Sequence, residues 1–141
     1  MEKRRVVITG AGAITPIGHT AAESWQAVRG GVCGVAPISA FDAADMKVKL
    51  AAEVKDYAPE AFLDKKEAKH MDRFTQFAVI AAREALRDAD FSAENADPDR
   101  CGVIVSSGIG GLQDTEEQHD RGRERGFDRV SPFYIPMAIC N

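Results

Sequence analysis

The side chains in this 141-residue sequence that can act as nucleophile, base or metal ligand are few: Cys33, Cys101 and Cys140, and His19, His70 and His119. No two histidines have the spacing that would put both imidazoles on one metal, and the cysteines show no zinc-finger interval. A thiol nucleophile needs a basic neighbour. Cys140 ends a helix-like segment, but the sequence around it supplies no such group, so packing is the role expected for it. Cys33 and Cys101 read as small buried hydrophobes. Two glycine turns are the other chemical candidates, GAGAITPIG at 10–18 and SSGIGG at 106–111. The first has the opening of a dinucleotide fingerprint, yet Thr15 stands where the third glycine belongs and Pro16 follows it. A diphosphate-cradling helix cannot start cleanly there, and no Lys-Ser/Thr pair completes a Walker loop. A tight packed turn is the expectation.

The turns are positioned by the elements around them. Each follows a short β-branched run, Val6-Val7-Ile8 or Val103-Ile104-Val105, which predicts buried, parallel strands over 4–9 and 101–107. Helical sequence long enough for a crossover separates them, so the fold class is α/β with its chemistry at the strand carboxyl ends. Thr20 and Glu23 make a capping box for a helix that Gly30-Gly31 stops. Alternation from Met46 to Val54 predicts a half-exposed strand or hairpin arm. Asp64 and Glu67 open a short basic helix carrying Lys65, Lys66 and Lys69. Asp72 caps the main core helix, whose apolar face is Phe74, Phe77, Ala78, Ala81, Ala85 and Leu86. A charged helix follows from Leu112 to Arg125, weakened at Gly122 and ended at Gly126. Ser131 and Pro132 are cap and first-turn types for a last helix that Pro136 interrupts.

With 18 basic and 22 acidic side chains the net charge is −4, which gives no general attraction for nucleic acid or anionic membrane. No window has the apolar length of a transmembrane helix, and the basic start MEKRR runs into Thr9-Gly10 rather than a signal-peptide core. The few, odd-numbered, widely spaced cysteines fit a reducing compartment, so the cytoplasm is expected.

Five stretches in order, VVITGAGAITPIG (6–18), EVKDY (53–57), KKEAKHMDRFTQFA (65–78), SSGIGGL (106–112) and SPFYIPMAICN (131–141), resemble the N-terminal part of a type II β-ketoacyl-acyl-carrier-protein synthase, an elongating condensing enzyme of fatty acid synthesis with the thiolase-like fold. The resemblance covers the whole chain but only about the first third of the family's length. It departs from the family at Ala52, where glycine is frequent, and at Cys140, where an apolar residue is usual. It implies that residues 1–141 are the incomplete first half of a thiolase-like domain, ending before the catalytic cysteine and both histidines. No catalytic residue is then expected in this segment, which alone should be inactive and leave its strands without later neighbours. It also implies decarboxylative condensation of malonyl-carrier with acyl-carrier, substrates held on phosphopantetheine, no cofactor or metal in the protein itself, and a homodimer at full length.

Two substrate-binding positions carry over from the same resemblance. Ile109 matches the residue that lines the acyl pocket, its alternative being a cap on the sheet. Phe133 matches an interface aromatic that reaches the partner subunit's pocket, the alternative being ordinary burial. Lys65, Lys66 and Lys69 match part of the docking surface for the acidic carrier protein, and exposed lysines would steer an acidic partner, although a solvated helix face has the same composition. The competing function is a noncatalytic short homologue that binds carrier or stabilises a partner.

Overall fold

The computed structural model describes residues 4–92 and 94–139. Cys140 therefore lies outside the described residues. The chain divides into two compact units, one formed by the chain up to Tyr57 with Ile80–Ala96, the other by Ala58–Val79 with the residues from Asp97 onward.

In the first unit α1 spans Ala21–Arg29. Its capping box forms as the sequence predicts, with one shift: Thr20 Oγ1 accepts from the Glu23 N–H at 3.1 Å, while Glu23 returns its carboxylate to the N–H of His19 at 2.7 Å. The helix stops at a Schellman turn. Gly31 takes φ +68°, the Val32 N–H reaches back to Ala27 O at 2.9 Å, and the Gly31 N–H to Val28 O at 3.1 Å. Two short strands follow, β1 (Ala36–Pro37) and β2 (Leu50–Ala51), antiparallel with Ala36 opposite Ala51 and Pro37 opposite Leu50. The arm expected from Met46 to Val54 is thus reduced to two strand residues, with one further rung in which the Ile38 N–H donates to Lys49 O at 3.0 Å. Glu53 continues the pairing by side chain, accepting from Ser39 Oγ at 2.6 Å and from the N–H groups of Ser39 and Ala40 at 2.9 and 3.0 Å. Those bonds hold its carboxyl below the usual range, the Ser39 hydroxyl most of all.

The glycine loop of this unit lies on the later part of α3 (Arg73–Asp88). A Cβ on Gly12 would come within 1.9 Å of Ala81 O, and one on Gly10 within 2.3 Å of Ala85 O. The alanines on that helix face leave room for backbone alone. Carboxylates one turn apart on α3 then take up the loop's donors: Asp88 accepts from Ala11 N–H at 3.0 Å and Glu84 from Ala13 N–H at 2.9 Å. Glu84 also accepts from the N–H of Ala21, at 2.9 and 3.1 Å, satisfying a free donor in the first turn of α1.

In the second unit α2 spans Lys65–Ala68, capped by Asp64 Oδ1 on the Lys66 N–H at 2.7 Å. Asp72 caps the start of α3 through the Phe74 N–H at 3.1 Å, and buried Gln76 closes the intervening turn by donating to Ala68 O and Met71 O, both at 3.0 Å. Helix α4 spans Leu112–Arg125 and ends at Gly126 with φ +94°. Gly122 sits inside it without breaking it, because Phe127 occupies the space: a Cβ would be 2.6 Å from the ring. Helix α5 is five residues, Tyr134–Ala138. Pro136 falls in its first turn, where no intrahelical partner awaits an N–H, so the proline is tolerated but the helix stays short.

The strands expected over 4–9 and 101–107 are corrected by the structure, which assigns no strand to either segment. Val6 and Ile8 are each 91% exposed, Val103 89% and Ile104 97%. A run apolar on both faces is the signature of a strand flanked on each side, and without ladder partners among the described residues it has no reason to adopt sheet geometry. Core packing instead centres on helices. Among the described residues the buried apolar side chains are Leu63, Ile80 and Ala138, while Leu86, Trp25 and Val28 are exposed, and so are Cys33 and Cys101, against the burial expected from the sequence. No helix is long and apolar enough, among the described residues, to cross a membrane.

Candidate functional site

The residues singled out from sequence, Ile109, Phe133 and the lysines of α2, all belong to the second unit. Ile109 sits at the tip of the glycine turn and is 76% exposed. The turn is held rigidly beneath it. Gly110 takes φ +83°, its N–H donates to Ser107 Oγ at 2.9 Å, and the Gly111 N–H donates to Ala138 O at 2.8 Å. A Cβ on Gly110 would meet Ala138 O at 2.2 Å, and one on Gly111 would meet Asp72 Oδ2 at 2.7 Å. The glycines therefore seat the turn on the carboxyl end of α5, and Ile109 projects from it as an exposed apolar side chain.

Phe133 stands at the other end of α5 as its N-cap residue and is 53% exposed. Ser131 Oγ accepts from its N–H at 3.2 Å, and the Tyr134 N–H closes the turn on Ser131 O at 3.0 Å. Its ring tilts against that of His70, with 5.0 Å between centroids and 58° between planes. His70 follows the C-cap Lys69, so the aromatic is tied to the end of the basic helix.

Lys65 and Lys69 border one groove of about 330 Å³ together with Pro59, Glu60, Ala68 and Gln76. Lys66 is exposed but does not line it. The four residues of α2 carry Lys65 and Lys66, with Lys69 as the C-cap, and Glu60 in the same groove offsets part of their charge. The arrangement can receive a polar, acidic partner at its edge.

Sequence reasoning passed over one acidic pair. Asp114, in the first turn of α4, has an Oδ2 that is enclosed and without a hydrogen-bond partner. Burial, then the charges of Asp72 and Glu117, push its carboxyl above the ordinary range. Asp72 was legible as a cap, but its approach to α4 depends on a contact with Gly111 that spans 39 positions and leaves no local signal. Of the other histidines, His19 Nε2 pairs with Lys55 O at 2.8 Å in the first unit, and His119 lies beside Asp120 at 3.4 Å on exposed α4. Among the described residues no group of three or more His, Cys, Asp or Glu side chains is placed to hold a metal.

Residues 3–141 match the family model described as β-ketoacyl synthase, N-terminal domain. A 3-oxoacyl-[acyl-carrier-protein] synthase 2 from Synechocystis is 48% identical over 141 residues, covering 100% of this chain and 34% of the relative. The chain thus spans about a third of the length of the curated relatives it matches. The structure superposes on the ishigamide ketosynthase/chain length factor with a TM-score of 0.78 at 28% identity, over 98% of this chain and 34% of that one. A type II polyketide ketosynthase solved in complex with its acyl-carrier protein superposes with a TM-score of 0.75 over 97% of this chain and 35% of that one; at 21% identity this likeness concerns the fold alone. The thiolase-like α/β architecture expected from the sequence is thereby the one shared, in its N-terminal third.

Proposed function

Since the chain belongs to the β-ketoacyl synthase N-terminal-domain family, we propose that it is the N-terminal portion of a 3-oxoacyl-[acyl-carrier-protein] synthase of type II, working in the cytoplasm as a homodimer when joined to the rest of a full-length synthase. The observation that carries this reading is 48% identity maintained over all 141 residues with a synthase 2.

In the reaction, an acyl thioester exchanges from the carrier's phosphopantetheine thiol onto a cysteine thiolate of the enzyme, releasing the carrier. Malonyl-carrier then loses carbon dioxide, its enolate attacks the acyl thioester carbonyl, and the cysteine leaves as thiolate, so the product is a 3-oxoacyl-carrier two carbons longer. The enolate oxygen needs preorganised donors. The cysteine and the two histidines that serve these steps are assigned to the part of a full-length synthase that follows these residues; the scheme uses no metal or prosthetic group. This segment contributes recognition. Ile109, apolar and exposed on a rigid turn, faces the acyl chain. Phe133 faces the partner subunit's acyl pocket. Lys65 and Lys69, at the rim of their groove, and Lys66 beside them dock the acidic carrier, and the acyl-carrier-protein in the name of the 48% identical synthase supports a carrier as the partner.

The test is carrier binding by the 141-residue chain, measured against ionic strength. Exposed lysines steer an acidic partner through screened Coulomb forces, so Lys65→Glu with Lys69→Glu should weaken binding by about tenfold or more at low salt and much less near 0.5 M. Binding that is indifferent to both the reversal and the salt would remove α2 from the docking surface.

A further inference from the structure

Three arginines at the end of α4 play no part in that reading. Arg121 and Arg125 lie one helical turn apart, and Arg129 belongs to the single 3-10 turn Phe127–Arg129 that follows. Together they line one concavity of about 530 Å³, open to solvent. Its shape is built by the backbone. Gly126 at φ +94° turns the chain, Gly122 receives the Phe127 ring where a Cβ would stand 2.6 Å away, and Gln118 Oε1 accepts from the Ser131 N–H at 2.8 Å. The turn is therefore folded back against α4 and brings Arg129 to the other two.

Gathering three guanidinium groups costs Coulomb repulsion that neighbouring carboxylates ordinarily offset. Among the described residues none of the three makes an ion pair, in a chain whose net charge is −4. Guanidinium forks match the oxygens of a tetrahedral oxyanion in pairs, as ammonium groups do not. Because the turn folds back against α4, the three guanidinium groups make one compact patch, which matches a single small anionic group, whereas an acidic helix would call for a linear stripe of charge. We propose that Arg121, Arg125 and Arg129 form a binding site for the phosphate or diphosphate group of a small molecule.

Inorganic pyrophosphate is the probe, titrated into the 141-residue chain while backbone amide resonances of residues 121–130 are followed, with sodium chloride at matched ionic strength and hexaglutamate as comparisons. Saturable shifts with pyrophosphate alone are expected. Since these side chains are exposed, Arg125→Gln should leave the far-UV spectrum unchanged and weaken pyrophosphate about tenfold, the loss of one charge-assisted contact. The triple lysine variant, which keeps the charge but not the fork, should weaken it by a similar factor. Undiminished pyrophosphate binding in the triple lysine variant, shifts reproduced by chloride, or hexaglutamate binding as tightly as pyrophosphate would each overturn the proposal, the last in favour of an acidic polypeptide.

Discussion

Replacing Glu84 by alanine should loosen the glycine loop and the start of α1 together, although neither lies near it in sequence. One carboxylate accepts from Ala13 N–H at 2.9 Å and from Ala21 N–H at 2.9 and 3.1 Å. A hydrogen bond to a charged group contributes about 1.5–3 kcal/mol, and both donors are half-buried, so the lower end applies. Two donors give about 3 kcal/mol for Glu84→Ala, or about 1.5 kcal/mol at each amide, which corresponds to a rise of about tenfold in the exchange rate of each. Glu84→Gln keeps one acceptor oxygen and should show about half the effect. Amide hydrogen exchange resolved at Ala13 and Ala21 is the assay. Asp88→Asn serves as the internal comparison, because its bond to Ala11 N–H is exposed and its loss should be confined to that amide. Unchanged exchange at Ala13 and Ala21 in Glu84→Ala would refute the reasoning, and so would equal acceleration at amides throughout both units, which would mean global unfolding.

The two glycines flanking Ile109 should respond oppositely. Gly110→Ala places a Cβ 2.2 Å from Ala138 O at φ +83° and should destabilise the α4–α5 packing by more than about 2 kcal/mol, whereas Gly108→Ala enters open space and should stay within about 0.5 kcal/mol; chemical denaturation of both variants decides it, and equal effects would count against the clamped turn. At Asp114 the raised pKa means the folded state binds the proton more tightly than the unfolded chain, so its contribution is most favourable at acid pH and is lost as pH rises through the folded value. Asp114→Asn should therefore raise stability at neutral pH by a few tenths of a kcal/mol, the size of one relieved like-charge pair, and flatten the pH dependence above the ordinary carboxylate range; a variant less stable at pH 7 would contradict this.

Local chemistry was legible and long-range chemistry was not. Thr20, Asp64 and Asp72 cap the helices they precede, and Gly30-Gly31 and Gly126 end helices where the sequence puts them, because each signal acts within a few residues. Gly12 was read as a tight turn, and its reason proved to be Ala81, 69 positions away. Glu84 and Asp88 gave no sign of their role, since a carboxylate on a helix face looks the same whether it meets solvent or another segment's backbone. The strand signals at 6–8 and 103–105 describe a sheet interior, and a sheet interior exists only where neighbouring strands supply ladder partners. The positions of Ile109, Phe133 and the lysines came from resemblance, and only the structure gave their settings: an exposed tip, a ring against His70, a groove rim.

The central claim is that this chain supplies the acyl-recognition and docking part of a condensing enzyme, and a chimera tests it most directly. Residues 1–141 replace the matching third of the Synechocystis synthase, and the purified chimera is given acyl-carriers of increasing chain length with malonyl-carrier. The account predicts that the chimera condenses them, that the 141-residue chain alone does not, and that Ile109→Phe shortens the longest primer elongated while short primers keep their rate. A folded chimera that makes no 3-oxoacyl product, or one whose chain-length profile is the same with Ile109 and with Phe in its place, would contradict it.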